Sequence, residues 1–321
     1  MLMDAESRTI PPGAVPRPEK NFGNTLQYGI FQALLRCGGI YPARILLLLV
    51  VAWYTLFPYA RRRGMPYLAR RFGKLPLTLR IRRAWQHYHS FGTILLERLL
   101  FSLTDRGGVT TSTDDATILA NLVAEKGLII LSAHVGGWQG AINSLTFLDR
   151  PVNILQDKAP RHSDQKYFTH HAKFPVRLID ANGPFGGLVD AHAALRRNEL
   201  LCIMGDRLVS PAERQVVVSF LGGPARFPST AYHLSSLAQT PIAVVFVMRE
   251  PYGPEQSPHP GGENLRLHLA RVFAPLPREA RSRESHAATA QIFALELERM
   301  ARQYPFQFFN FYDMWDTGKT P

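Results

Sequence analysis

A short apolar run that ends in a histidine and two glycines limits the possible folds of this chain more than any other stretch. Residues 128–131 are long enough for a buried strand, and Gly136 and Gly137 permit a tight turn before a helix that begins near Trp138. This spacing predicts that His134 lies at the carboxyl end of a strand, where α/β proteins commonly hold their sites. Such a histidine is either a general base or a hydrogen-bonded residue that merely ends the strand.

Strand and helix patterns alternate through most of the remaining chain. We expect strands at residues 128–131, 152–156, 176–179, 200–204, 216–220, 242–248 and 265–272. We expect helices at residues 67–103, 138–148, 163–171, 185–196, 229–238 and 285–304. The sequence therefore predicts an α/β fold in which a mixed sheet is flanked by helices on both faces. The Pro- and Gly-rich residues 251–262 predict a surface hairpin loop.

Composition divides the chain into three parts. Residues 1–24 are rich in Pro and Gly, have none of the regions of a secretory signal, and are predicted to be mobile. Residues 25–64 are apolar with a basic end and are predicted to be a membrane-associating segment. Residues 65–321 carry the strand and helix patterns without an obvious linker, which predicts one α/β domain.

The apolar stretch at residues 45–60 has no charged residue, and it lies between Arg44 and three arginines at 61–63. Its 16 residues fall short of the roughly 20 that a helix needs to cross a bilayer. An anchor in the plane of the membrane is therefore favoured over a full span, with a buried core helix as the alternative. Trp53, Tyr54 and the arginines would suit an anionic headgroup region.

The charge balance favours anionic partners. The chain has 37 Lys and Arg against 25 Asp and Glu, a net charge of +12, which suits phospholipid headgroups, acidic carrier proteins or phosphorylated cofactors. Nucleic acid is disfavoured because the basic residues are dispersed and no base-reading motif accompanies them. Cys37 and Cys202 lack metal-type spacing, which indicates a reducing compartment and no structural zinc.

Four segments in chain order carry a family resemblance. They are His134-Val-Gly-Gly-Trp-Gln139, Met204-Gly-Asp206-Arg207, residues 218–228 with Arg226-Phe227-Pro228 at their end, and the aromatic residues 304–315. Together they resemble the lysophospholipid acyltransferase superfamily, specifically its lipid A biosynthesis acyltransferase branch. The resemblance covers almost the whole chain.

The resemblance implies a glycerolipid acyltransferase-like fold and acyl transfer from a thioester on acyl carrier protein or coenzyme A. The acceptor would be a hydroxyl or amine of a lipid or glycolipid, with no metal or cofactor. His134 would be the general base, and the backbone amides of Gly136 and Gly137 would stabilise the oxyanion. The implied location is the cytoplasmic side of the cell inner membrane, at an anionic membrane surface.

The sequence departs from the family at Gln139, where relatives carry Glu or Asp. An amide can hold a histidine tautomer, but it supplies no negative charge to an imidazolium. Three explanations stay open. Asp206 supplies the missing charge, or the acceptor needs less help from a base, or the protein is a weakly active homologue that binds an acyl carrier or lipid in a biosynthetic assembly.

The remaining site candidates each have a structural alternative. Arg207 is predicted to bind a phosphate or a carrier's phosphopantetheine, although Asp206-Arg207 could equally be an ion pair or a capped turn. The resemblance assigns Arg226 to acceptor or phosphate contacts, against a solvated loop charge. Trp138 and Phe227 are predicted to line the substrate site. The aromatic C-terminal segment is predicted either to pack generally or to wall the site.

Overall fold

The computed structural model describes residues 25–104, 109–138, 145–157, 176–208, 213–250, 265–279 and 283–315. Four sequence predictions fall outside these described residues. They concern the predicted mobility of residues 1–24, the helix 163–171, the loop 251–262, and the role of Gln139.

The core of the molecule is a seven-stranded mixed sheet with the order β1-β9-β8-β2-β5-β3-β4, beside a separate β6-β7 hairpin. The strands are β1 (Val109–Thr111), β2 (Leu128–Ser132), β3 (Val152–Gln156), β4 (Val176–Asp180), β5 (Leu200–Met204), β6 (Gln215–Phe220), β7 (Gly223–Pro228), β8 (Ile242–Arg249) and β9 (Leu265–Phe273). Strands β8, β2, β5, β3 and β4 are parallel, and β9 is antiparallel to β8. The mixed sheet is as predicted from the sequence.

Nine helices occur within the described residues. They are α1 (Thr25–Gly38), α2 (Ile40–Leu56), α3 (Pro58–Arg61), α4 (Met65–Phe72), α5 (Leu77–Thr104), α6 (Thr113–Glu125), α7 (Leu188–Arg196), α8 (Thr230–Ala238) and α9 (Arg283–Gln303). Short 3₁₀ turns cover Arg62–Gly64, Leu145–Leu148 and Pro184–Gly187. The predicted helix 138–148 is not confirmed at its described ends, because Trp138 lies in a turn and its last four residues form a 3₁₀ turn.

Alternate residues of the central strands face two separate cores. In β2, Ile129 and Leu131 join one buried cluster, whereas Leu128 and Ile130 join the other. The first cluster includes residues of α7, α8 and α9, and the second includes Leu119 and other residues of α6. Because side chains of a strand point to opposite faces in turn, a strand covered by helices on both sides reads as continuously apolar.

The helical region predicted at residues 67–103 is divided in two. Gly73 ends α4 with φ of +73°, a conformation that favours glycine, and its N–H donates to the carbonyl of Ala69. Pro76 then precedes the 28-residue α5. Glycine and proline together turn the chain between the two helices.

The predicted membrane-associating segment folds as α1, α2 and α3. Within the part of the chain that the structure describes, no single helix combines the length and hydropathy needed to cross a membrane. Ile40–Leu56 and Pro58–Phe72 meet those criteria only as a pair, with a bend of 88° between them. Arg61, one of the three arginines expected to suit an anionic headgroup region, is instead only 9% exposed, and its side chain donates to the carbonyl of Thr55.

Candidate active site

Two neighbouring parallel strands bring His134 and Asp206 together. Strand β2 pairs with β5 so that Ser132 lies opposite Met204, and each polar residue follows its strand by two positions. The N–H of Gly205 also donates to the carbonyl of Ser132 at 2.8 Å, which continues the pairing beyond the strands. As a result the Nδ1 atom of His134 lies 2.8 Å from Oδ1 of Asp206.

Burial and charge set the protonation of this pair. The side chain of His134 is 18% exposed and that of Asp206 is 1% exposed. Burial and the nearby charge of Arg207 lower the pKa of His134, and Asp206 opposes this shift only in part. Burial disfavours the carboxylate of Asp206, but its interactions with His134 and Arg207 hold its pKa below the ordinary value. The pair is therefore best described as a neutral imidazole that donates from Nδ1 to a carboxylate.

That tautomer leaves Nε2 of His134 as the proton acceptor. A neutral imidazole with an unprotonated Nε2 can take a proton from a hydroxyl or amine, and a carboxylate at Nδ1 can stabilise the imidazolium that forms. The pair therefore has the chemistry of a general base with an orienting acid. Asp206 therefore lies where it must if it is to supply the negative charge that Gln139 lacks, which was the first of the three explanations.

The expected oxyanion role of the glycine amides is not supported. The N–H of Gly136 donates to the carbonyl of Gln307, and the N–H of Gly137 donates to the carbonyl of Val247, both at 2.8 Å. Both donors are therefore already used within the protein. Gly136 has φ of +48°, and a Cβ atom there would overlap the carbonyl oxygen of Val247, so the glycine is needed for close packing of the loop on β8.

The aromatic C-terminal segment forms a wall beside the histidine loop. Val135 forms an antiparallel bridge with Phe308, and the N–H of Phe309 donates to the carbonyl of His134 at 2.8 Å. The ring of Trp138 contacts both His134 and Phe309. Its centroid lies 5.4 Å from that of His134 and 5.9 Å from that of Phe309. Trp138 and the segment thus lie beside His134.

Arg207 brings a positive charge to the same edge of the sheet. Its Nη2 donates to the carbonyl of Phe309 at 3.0 Å, and its Cζ lies 5.9 Å from the ring centroid of Tyr312. Its Nε is buried and has no hydrogen-bond partner among the described residues. Asp206 and Arg207 are therefore not merely a capped turn, since each contacts a different part of the site.

The structure does not bring Phe227 to His134. Phe227 is completely buried, and its ring packs against those of Phe220 and Phe293, which gives no support to the prediction that it lines the substrate site. Arg226 is half-buried on β7, where it faces Val217 of β6. Residues 218–228, the third segment of the family resemblance, form the end of β6, a turn and the whole of β7, in which Ala225 and Phe227 are buried on the inward side.

One ion pair near this edge was missed from the sequence. Arg249 at the end of β8 lies 3.0 Å from the carboxylate of Glu97 on α5, and burial raises the pKa of Glu97 to about 7. The side chain of Gln307 makes two hydrogen bonds with the backbone of Arg249. The N–H of Arg249 donates to Oε1 of Gln307, and Nε2 of Gln307 donates to the carbonyl of Arg249. A signal was present in the sequence, because Glu97 is the first acidic residue after Glu19.

Comparisons with known proteins bear on the whole domain. A family model described as bacterial lipid A biosynthesis acyltransferase matches residues 67–317, which include all four motif segments. A search of curated proteins found no match. Among the described residues, no group of three or more His, Cys, Asp or Glu side chains is arranged to hold a metal ion.

Proposed function

This chain belongs to the bacterial lipid A biosynthesis acyltransferase family, and from that premise we propose that it transfers an acyl group from a thioester donor to a hydroxyl or amine of a lipid or glycolipid. The observation that carries the proposal is the 2.8 Å contact between His134 and Asp206 at the carboxyl ends of β2 and β5. This contact pairs the histidine of the motif with a carboxylate, which the motif itself lacks because it has Gln139 at the position of the acid.

In the proposed reaction, Nε2 of His134 takes the proton of the acceptor hydroxyl or amine as that atom attacks the thioester carbonyl carbon. The carbon–sulfur bond then breaks, and the imidazolium returns the proton to the leaving thiolate. Asp206 stabilises the imidazolium between these two steps. This role matters because burial, and after it the adjacent charge of Arg207, disfavours a protonated ring.

Arg207 is the candidate to bind an anionic group of the substrates. A guanidinium offers a planar set of donors to phosphate, and acyl carrier protein and coenzyme A both carry a phosphate on the pantetheine arm that ends in the thioester. Arg207 is half-buried next to Asp206 in the chain, which brings its guanidinium to the edge of the sheet that holds His134. The same cation could instead bind the oxyanion, since the amides of Gly136 and Gly137 are occupied.

The proposed location is the cytoplasmic surface of the cell inner membrane. Large apolar side chains of α1 and α2 and of the residues that follow are exposed, and they include Leu26, Tyr41, Ile45, Leu49, Trp53, Leu56 and Tyr59. The exposed Arg62 lies over the ring of Tyr59 at 5.2 Å. Apolar and aromatic residues beside an arginine suit the boundary of an anionic membrane.

The alternative is a weakly active homologue that binds an acyl carrier or lipid in a biosynthetic assembly. Gln139 favours it, because the family position for the acid holds an amide. The buried carboxylate of Asp206 favours the enzyme, because burying a charge beside a histidine is costly unless the pair is used or well compensated.

The test is acyl transfer from labelled acyl carrier proteins and acyl coenzyme A species to total membrane lipid. Unsubstituted protein is compared with the His134→Ala and Gln139→Glu variants. We expect a lipid product that disappears in His134→Ala, with the preferred donor identifying the carrier. If only Gln139→Glu formed product, the amide would have silenced the site and the binding role would replace the enzyme.

A further inference from the structure

An open apolar groove runs between the N-terminal helices α1 and α2 and the long helix α5. Its free space, with its mouth included, is about 730 Å³. Its lining is almost entirely apolar and aromatic, and it includes Tyr28, Leu47, Val50, Tyr54, Phe91 and Leu95. No charged side chain lines the groove in the described part of the chain. A groove of this kind suits a hydrocarbon chain rather than a polar ligand.

A continuous series of ring contacts joins the groove to the histidine. Phe91 lines the groove, and its ring centroid lies 5.1 Å from that of Phe309. Phe309 contacts Trp138, which in turn contacts His134. Tyr88, also in the lining, stacks on Phe311 of the same C-terminal segment. The α5 wall of the groove is therefore packed, ring against ring, on the residues beside His134, so a chain in the groove would lie on the other side of that aromatic wall from the reacting centre.

The walls of the groove also carry the apolar surface proposed to meet the membrane. On α1, Leu26 and Ile30 are 71% and 44% exposed, and on α2, Leu49 and Trp53 are 64% and 56% exposed. Helices α1 and α2 precede residues 67–317, the range that matches the family, so the groove depends on residues outside that range. Each of the two helices therefore carries exposed apolar residues on its outer face and lines the apolar groove with its inner face.

We propose that this groove holds one hydrocarbon chain of the membrane lipid that accepts the acyl group. The inference rests on the proposed function, because it takes a lipid as the acceptor. If the outer faces of α1 and α2 meet the membrane as proposed, a chain from the bilayer can enter between these helices without its methylene groups meeting water. The donor's acyl chain arrives on a soluble carrier, so it has no comparable route through α1 and α2.

Photo-crosslinking tests whether the groove is occupied. The His134→Ala protein is bound to phosphatidylglycerol vesicles in which some lipid carries a diazirine at the end of one acyl chain, and adducts are mapped by mass spectrometry. We expect adducts on Phe91 or Leu95 of α5, which lie beneath α1 and α2. Adducts confined to outer residues such as Leu49 and Trp53, or none at all, would overturn the proposal. Because this variant needs no turnover, the result is independent of whether the protein is an enzyme.

A blocking substitution tests which chain the groove holds. Val50→Trp narrows the groove, and Val189→Trp makes the same change at a position on α7 that is 62% exposed. We expect Val50→Trp to abolish adducts on α5 and to lower kcat/KM with membrane lipid at least about tenfold, as loss of contact for two methylene groups would do. Val189→Trp should match unsubstituted protein in both measurements. A changed preference for donor chain length in Val50→Trp would assign the groove to the donor and overturn the proposal.

Discussion

Around His134 the backbone groups are bound tightly within the protein, whereas the N-terminal helices leave much of their surface without a partner. The N–H groups of Gly136, Gly137 and Phe309 each donate to a backbone carbonyl at 2.8 Å. Residues 25–96, in contrast, expose several large apolar side chains and contain eleven Lys and Arg with no Asp or Glu. Those residues alone contribute +11 of the net charge of +12.

This difference corresponds to the two parts of the proposed function. Hydrogen bonds at the carboxyl ends of the strands fix the position of His134, as the proposed base would require. Exposed apolar surface with an excess of positive charge is the kind of surface that an anionic lipid membrane would stabilise, as the proposed location requires. Substitutions in the two regions should therefore fail in different measurements.

The largest effect is expected for Asp206→Asn. Loss of the carboxylate should lower kcat by about 10²–10⁴-fold, because an amide cannot stabilise the imidazolium. Asp206 raises the pKa of His134 against the effects of burial and Arg207. The acid limb of the kcat/KM profile, which should lie below pH 6.5 in unsubstituted protein, should therefore move to still lower pH.

The control is Asp190→Asn, at the exposed start of α7, which should leave the rate and the pH profile unchanged. If Asp206→Asn also left both unchanged, Asp206 would have no part in the mechanism.

Gly136→Ala should be the next most damaging change, in stability as well as activity. The left-handed conformation costs alanine roughly 1–2 kcal/mol, and forcing a methyl group against β8 adds about 1–3 kcal/mol. Urea unfolding measures the sum. The same substitution at Gly29 of α1, where a Cβ atom would meet nothing within 4 Å, should leave stability unchanged or slightly higher. Equal stabilities for the two variants would contradict the close contact between the loop and β8.

His87, which lies where the N-terminal helices meet the aromatic C-terminal segment, should make the free energy of unfolding depend on pH. It is completely buried on α5 against rings that include Phe309 and Phe311, and burial lowers its pKa to about 3. The unfolded chain takes up a proton below about pH 6.5, but the folded protein does not until about pH 3. Stability should therefore fall as the pH is lowered through this window, by about 1.4 kcal/mol per pH unit from this residue.

His87→Phe isolates this contribution, since phenylalanine keeps an aromatic ring without a titrating group. Urea midpoints at pH 4.5 and 7.5 should differ less for this variant than for unsubstituted protein. An identical pH dependence in both proteins would show that His87 does not titrate in this way.

The smallest effect is expected at the membrane surface. Arg62→Gln should weaken binding to phosphatidylglycerol vesicles by about fivefold, since one arginine contributes about 1 kcal/mol near an anionic surface. The difference should shrink as salt rises. Arg196→Gln on α7 removes the same charge outside the N-terminal helices and should leave vesicle binding unchanged. Vesicle sedimentation measures both, and equal losses would mean that net charge, not the N-terminal surface, controls binding.

Much of the architecture follows directly from local patterns in the sequence. Strands at 152–156 and 200–204 have the predicted bounds, because an apolar run of five residues bordered by turn residues is long enough for a buried strand and too short for a typical helix. The position of His134 beyond a buried strand follows from the same rule. The three-residue β1 and the second strand of the hairpin, β7, were not predicted, because each is too short or too rich in turn residues to show a period.

Contacts between distant residues could not be read in this way. That Asp206 lies at His134 depends on the register of β2 with β5, and a shift of one residue would have turned it to the other face. That the amides of Gly136 and Gly137 are occupied depends on Gln307 and Val247, which lie more than a hundred residues away. Local sequence sets which residues can end a strand or turn the chain, because those preferences act within a few bonds. Pairing, burial and the partners of each polar group are set by packing, because they depend on which elements become neighbours in the folded chain.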